Sequence, residues 1–189
     1  MKHVMIDIEA MDTASTAAIG AIAAVEFDPS TGETGWQYYE RVDIESSQDN
    51  GGTISAATVK WWLRKESEVR AEIATDDGAD IRDVLYGLNG HIKEMAVPDV
   101  MIWTRGTDYD LPIIYSAMRR AGIEPAWKFW NARDVRSVEW QATYHGCIMH
   151  RGIIPFEGQP HHALYDALHQ IKTVHYIQRF FGQFMSEGA

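Results

Sequence analysis

An α/β fold built on a mixed β-sheet flanked by helices is predicted by two observations on this chain of 189 residues. Three strand-like segments open the chain, the first two rich in Val, Ile and Ala and the third in aromatic residues, with only short turn signals between them. Beyond them helical and strand-like patterns alternate, the order that lays helices on the faces of a partly parallel sheet.

"KHVMIDIEA" is the first strand: Asp7 and Glu9 alternate with Ile6 and Ile8, so both acids fall on one face of an otherwise apolar segment. "AAIGAIAAVEFDP" reads as a second strand ending near Pro29. The turn "DPSTGETG" follows, and "WQYYERVDI" supplies a third strand, which makes an antiparallel meander. "SQDNGGTISAATVKWWLRKESEVRAEIA" holds a Gly-rich loop and then one helix, with Ser55 or Thr58 as N-cap and Trp61, Trp62, Val69 and Ile73 as apolar positions. "DIRDVLYGLNGHIKEM" places Ile81, Val84, Leu85, Leu88 and Ile92 at helical spacings. "DVMIWTRG" is a short buried strand that breaks at Gly106, and "DYDLPIIYSAMRRAG" is the helix after it. "PAWKFWNARDVRSVEWQATYHG" is a strand running into a helix near Asp134, and a last helix starts near Pro160 or His161 and runs to about Phe184. With no internal repeat or low-complexity linker, residues 1–189 are expected to form one domain.

A net charge of −10 opposes any function that depends on gripping long nucleic acid through phosphate neutralisation alone. It leaves room for a local site in which carboxylates hold divalent cations, because the ions are then the largest charges present. No stretch approaches the roughly 18 apolar residues of a membrane span. "MKHVMIDIEAMD" meets Asp7 and Glu9 before the apolar run of a signal peptide could develop. The single Cys147 excludes an intrachain disulfide and points to a reducing compartment. A cytoplasmic location without membrane contact is therefore the expectation, and a homodimer is compatible with the chain.

Asp110 lies in "WTRGTDYDLPII", where a strand breaks into a helix, and Asp166 lies in "HHALYDALHQ" of the last helix. Burying an unpaired carboxylate costs several kcal/mol, and metal coordination is one of the few ways to remove that cost. An all-oxygen set of Asp7, Glu9, Asp110 and Asp166 suits Mg²⁺ or Mn²⁺ rather than zinc.

Three segments, "DIEAM", "WTRGTDYDLPII" and "HHALYDA", resemble the motifs of the DEDD exonucleases, in the subclass with a histidine five positions before the last aspartate. That spacing selects His161 over His162. "TVKWWLRKESEVR", "KFWNARDVRS" and the "WxRGxxYDxPI" frame are similar to segments of exonuclease A of T-even bacteriophages and related bacterial exoribonucleases, so the likeness spans most of the chain. Gly106 stands where general members of the superfamily carry Asn.

The resemblance implies an RNase H-like fold, with two metal ions bridged by Asp7 and completed by Glu9, Asp110 and Asp166. It also implies that His161 is the general base, a role that an unperturbed pKa near 6.5 suits at neutral pH. The implied activity is 3′–5′ release of nucleoside 5′-monophosphates from single-stranded DNA or RNA. Met11 resembles the position at which family members wedge an apolar side chain beside the terminal base, although core packing accounts for it nearly as well. Adjacent tryptophans on a helix point about 100° apart, so one of Trp61 and Trp62 is assigned to the core and the other to base stacking. Arg105, Arg133 and Arg136 could bind phosphate or form ordinary salt bridges. Asp108 is read as solvated or N-capping, Asp134 as a helix cap, His162, His169 and His175 as surface or packing groups, and Cys147 as an inert apolar residue. Two other functions fit the same residues: a metal-free nucleic-acid-binding module that has lost catalysis, and a phosphodiesterase acting on dinucleotides or nucleotide caps.

Overall fold

The computed structural model describes residues 2–95, 99–150 and 152–187. Strands β1 (His3–Ala10), β2 (Ile19–Phe27), β3 (Thr34–Arg41), β4 (Met101–Thr104) and β5 (Ala132–Asp134) form one sheet in the order β3-β2-β1-β4-β5. β1, β2 and β3 pair antiparallel, whereas β4 runs parallel to both β1 and β5. The sheet is thus mixed, as the sequence predicts. The β2–β3 turn is fixed by Asp28, whose Oδ1 accepts from the backbone N–H groups of Ser30 (2.7 Å) and Thr31 (3.2 Å).

Helices α4 (Ile81–Glu94) and α5 (Asp110–Ala121) cover one face of the sheet. Val84, Leu85 and Leu88 of α4 and Ile113, Ile114 and Met118 of α5 share a core with Val4, Ile6 and Ile8 of β1. Asp80 caps α4 by accepting from Arg82 N–H, and Gly122 ends α5 in the left-handed conformation at φ 71°. Helix α7 (Ala163–Glu187) lies on the opposite face. Its Ala163, Ala167, Ile171 and Val174 form one apolar stripe against Met5, Ala21, Ala23 and Val25. Helix α6 (Val135–Tyr144) packs beside α7 and is capped by Asp134, as predicted.

Two features differ from the sequence reading. A short helix α1 (Ile44–Asp49) is capped by Asp43 where only a strand end and a loop were expected. The single helix expected after Ser55 is two helices, α2 (Ala56–Trp62) and α3 (Ser67–Ile73). Ser55 does cap α2, its Oγ accepting from Thr58 N–H at 3.1 Å. The last turn of α2 then tightens through Lys65 N–H donating to Trp62 O, and the chain bends so that Trp62, Val69 and Ile73 meet Met11 and Ala18 in one small cluster.

Candidate active site

Asp7 and Glu9 project from β1 on the face that α7 covers. Opposite them on β2 stand Ala23 and Ala21, both fully buried, and these small side chains leave volume beside the carboxylates. β1 pairs with β4 only as far as Met5↔Trp103, so the edge of β1 beyond that point is open to the start of α5. There the Asp110 carboxylate, at the first position of α5, interacts with the backbone N–H groups of Ile8 and of Asp110 itself. Gly106 makes the turn before it at φ +120°, a conformation that favours glycine, and a Cβ at this position would lie 2.8 Å from Arg136 Nη1. The lack of a side chain at Gly106 thus leaves room for the Arg136 guanidinium over the turn.

Asp166 sits in the first turn of α7 and reaches back, its Oδ2 accepting from His161 N–H at 2.8 Å. That bond holds His161 in the left-handed region at φ 62°, uncommon for a residue with a side chain. The turn aims the imidazole into the cleft: its Nε2 lies 3.1 Å from Lys65 Nζ, and its ring stands edge-on to Trp61 at 4.9 Å between centroids. An ammonium can only donate, so Nε2 is the acceptor and Nδ1 carries the proton.

Four carboxylates crowd one cleft of about 1140 Å³, and each is harder to ionise than usual. Burial and then the charges of Asp110, Glu9 and Asp166 push Asp7 well up, against a hydrogen bond from Gln170 Nε2 to Asp7 Oδ1 of 2.7 Å. Burial, followed by Asp166 and Asp110, raises Glu9 to about 8. Asp110 is raised to about 7 and Asp166 to about 6, each by burial, with backbone N–H groups holding both down. His161 is lowered by burial and by the charge of Lys65. Such a set is short of positive charge, and a divalent cation would supply it.

Glu9, His161 and Asp166 each present one ligand atom, all within 4.8 Å of one another, a cluster that could chelate a metal. Asp7 and Asp110 line the same cleft outside that cluster, Asp7 Oδ1 accepting from Gln170 and the Asp110 carboxylate meeting backbone N–H groups. Among the described residues the buried Oε1 of Gln170 has no hydrogen-bond partner, which leaves a further oxygen donor in the cleft.

Residues 2–178 match the family described as the 3′-5′ exoribonuclease Rv2179c-like domain. The chain belongs to that family. This Rv2179c-like domain has an RNase H-like fold, the fold of a DEDDh nuclease domain. It is 28% identical over 160 residues to the exodeoxyribonuclease of Enterobacteria phage T4, covering 72% of this chain and 70% of the phage protein. Its fold is similar to that of E. coli exonuclease I in a zinc-bound complex with single-stranded DNA, at a TM-score of 0.69 and 14% identity. That likeness covers 98% of this chain and 43% of the exonuclease I chain, so the Rv2179c-like domain spans less than half of that protein. The nuclease domain of 3′hExo, a DEDDh family member bound to rAMP, matches with a TM-score of 0.63 and 12% identity over 96% of this chain and 92% of that one.

Among the residues singled out for substrate contact, Trp62 and Met11 are buried in the cluster under α2 and α3, and Trp62 Nε1 donates to Ala10 O at 3.1 Å. Burial takes the Trp62 ring out of reach of a base. Trp61 is 41% exposed, but Lys65 Nζ stands 3.7 Å from its ring centroid and covers one face. Arg105 lines the cleft and pairs with Glu139 at 3.3 Å. Arg133 is turned to the Trp130 and Ala132 carbonyls. Asp108 is exposed while Tyr109 takes the N-cap position of α5. His162 stacks on Tyr39 and lies 3.7 Å from Glu72. His169 packs against Phe156, His175 faces the Pro29 carbonyl, and Cys147 is buried.

Sequence reasoning missed Lys65 and Gln170. Gln170 follows Asp166 by one helical turn and so shares its face, a signal that was available. The approach of Lys65 to His161 spans 96 positions and has no counterpart in local pattern.

Proposed function

We propose that this chain is a 3′–5′ exonuclease that releases nucleoside 5′-monophosphates from single-stranded DNA or RNA, and that residues 1–189 act as one catalytic domain. The observation that supports this most is the convergence of four ionisation-resistant carboxylates and a neutral imidazole on one cleft. Asp7, Glu9, Asp110 and Asp166 would hold two Mg²⁺ or Mn²⁺ ions, with Asp7 shared between them. Two such ions, when bound, stabilise charge on the attacking and leaving oxygens of a phosphodiester displacement.

His161 Nε2 takes the proton of the attacking water. Burial and Lys65 keep the imidazole unprotonated at neutral pH, so the base is ready before substrate arrives. Lys65 must leave Nε2 for that transfer, and a substrate phosphate is the natural acceptor of its three N–H groups. Gln170 fixes the orientation of Asp7. Trp61 borders the cleft beside His161, where its ring can meet the terminal base once Lys65 has moved.

The test is a digest of end-labelled single-stranded DNA and RNA side by side, with Mg²⁺, with Mn²⁺ and with chelator. Stepwise shortening from the 3′ end that requires the cation is expected. Loss of label from the 5′ end first, or equal cutting with chelator, would overturn the reading.

A further inference from the structure

We propose that α6 carries a second nucleotide-stacking platform, in which Trp140 and Tyr144 hold a base of the single strand upstream of the terminal nucleotide and Arg136 meets its phosphate. The inference rests on the exonuclease reading above and extends its substrate site by at least one nucleotide.

Arg136, Trp140 and Tyr144 recur every four residues and so share one face of α6. The helix packs through other residues: Val135, Val138 and Ala142 supply its buried side, and neither aromatic takes part in a core cluster. Trp140 and Tyr144 are nonetheless 69% and 75% exposed, and their rings are stacked, with centroids 5.7 Å apart and planes inclined by 22°. Among the described residues these two large aromatics meet each other and the exposed His145 rather than the core, and so stand largely in water beside the cleft.

Their location selects the occupant. Arg136 and Trp140 line both the acid-bearing cleft and a neighbouring hollow of about 630 Å³ that Tyr144 also lines, so the path from Asp110 to Tyr144 is continuous. The cleft alone exceeds the roughly 300–1,000 Å³ that suits a small ligand, which leaves space beyond one terminal nucleotide. Arg105 and Arg136 both line it, on a chain whose net charge is −10, and so offer cations where a phosphodiester backbone would run. From Arg136 to Tyr144 the helix rises about 12 Å, more than the 3.4 Å of one stacked base step. Aromatic faces accept any base, which matches a strand fed through the cleft without sequence choice.

The experiment measures kcat and KM for the full chain and for Trp140→Ala, Tyr144→Ala and Trp140→Phe, on a dinucleotide and on a single strand of about 10 nucleotides. Trp140→Ala should raise KM on the longer strand about 5- to 150-fold, as loss of one stacked base implies, with a much smaller penalty on the dinucleotide and kcat little changed. Trp140→Phe should recover most of the loss. Fluorescence anisotropy of the same labelled strand with chelator reads binding without turnover, and Trp140→Ala should weaken it by a similar factor. If the wild type cleaves both substrates and Trp140→Ala leaves KM and anisotropy unchanged, the platform falls and the exonuclease reading stands. If the wild type cleaves neither, the exonuclease reading falls and anisotropy alone decides the platform. Should Trp140→Ala instead lower the molar mass in solution, this face joins two copies of the chain and the platform is overturned.

Discussion

Glu9→Gln should stabilise the cation-free protein at neutral pH. Glu9 is raised from an ordinary 4.5 to about 8 by burial and by Asp166 and Asp110, so at pH 7 the folded chain keeps a proton that the unfolded chain releases. The folded state binds more protons, and stability therefore falls as pH rises from about 4.5 to about 8 and levels off above. Each pH unit in that window costs about 1.4 kcal/mol, hence about 3 kcal/mol by pH 7. Glutamine cannot ionise in either state and removes the penalty. For a chain of this size about 3 kcal/mol corresponds to roughly 6–12 °C in Tm. The assay is thermal unfolding with chelator at intervals between pH 5 and 8, repeated with Mg²⁺. The wild type should lose Tm with rising pH and regain it with Mg²⁺, and the variant should start higher, fall less steeply and respond less to the ion. A wild-type Tm that stays level across this range, or a variant no more stable at pH 7, would refute the claim that these acids are destabilising until a cation arrives.

His161→Ala should lower the rate about 10²–10⁴-fold, the usual worth of a positioned general base, and His162→Ala far less; equal losses would show that the imidazole is assigned to the wrong residue. Lys65→Met removes a charge that holds His161 down, so the acid limb of the kcat/KM profile should move upward, and an unmoved limb would separate Lys65 from His161 in function. Trp62→Ala should cost about 3–5 kcal/mol of stability, whereas Trp61→Ala should act on KM, and two variants that lose stability alone would remove Trp61 from the binding site. Mg²⁺ binding at pH 7 should release protons, read by calorimetry in buffers of different ionisation enthalpy, and an apparent enthalpy independent of buffer would contradict the raised acids.

The strands and the acids were legible because each breaks a local rule in a readable way. Asp7 and Glu9 interrupt an apolar strand at period two, and a one-sided pair of acids there can only face a site or solvent. The bend between α2 and α3 was not legible, because "TVKWWLRKESEVR" holds neither Gly nor Pro. A continuous helix would have set Trp62 and Ile73 about 16 Å apart, yet both must close over Met11, so tertiary packing overrides a sequence that would otherwise remain helical. Helix α1 escaped notice for the opposite reason. Its "IESSQD" is rich in residues that compete with the helical backbone, and the Asp43 cap together with its packing on β2 holds it. Lys65 could not be read at all, since the bend that escaped notice is what turns it toward His161.

The order in which the four acids resist ionisation follows from the elements that carry them. Asp110 opens α5 and Asp166 lies in the first turn of α7, each near a positively polarised helix end, and each carboxylate meets backbone N–H groups: those of Ile8 and Asp110 for Asp110, and those of His161 and His162 for Asp166. Asp7 and Glu9 stand mid-strand, where the N–H groups are spent on pairing with β2 and, for β1 as far as Met5, with β4. The largest offsets to burial are the Gln170 amide for Asp7 and the charge of Lys65 for Glu9. The strand acids accordingly hold protons longest, and the helix acids carry negative charge first. A cation entering the cleft would meet charge already present on Asp110 and Asp166 and would displace protons from Asp7 and Glu9. Binding a metal and ionising the strand acids would then be one event, which keeps the charge of Asp7 and Glu9 out of the cation-free fold and supplies it when an ion is there to share it.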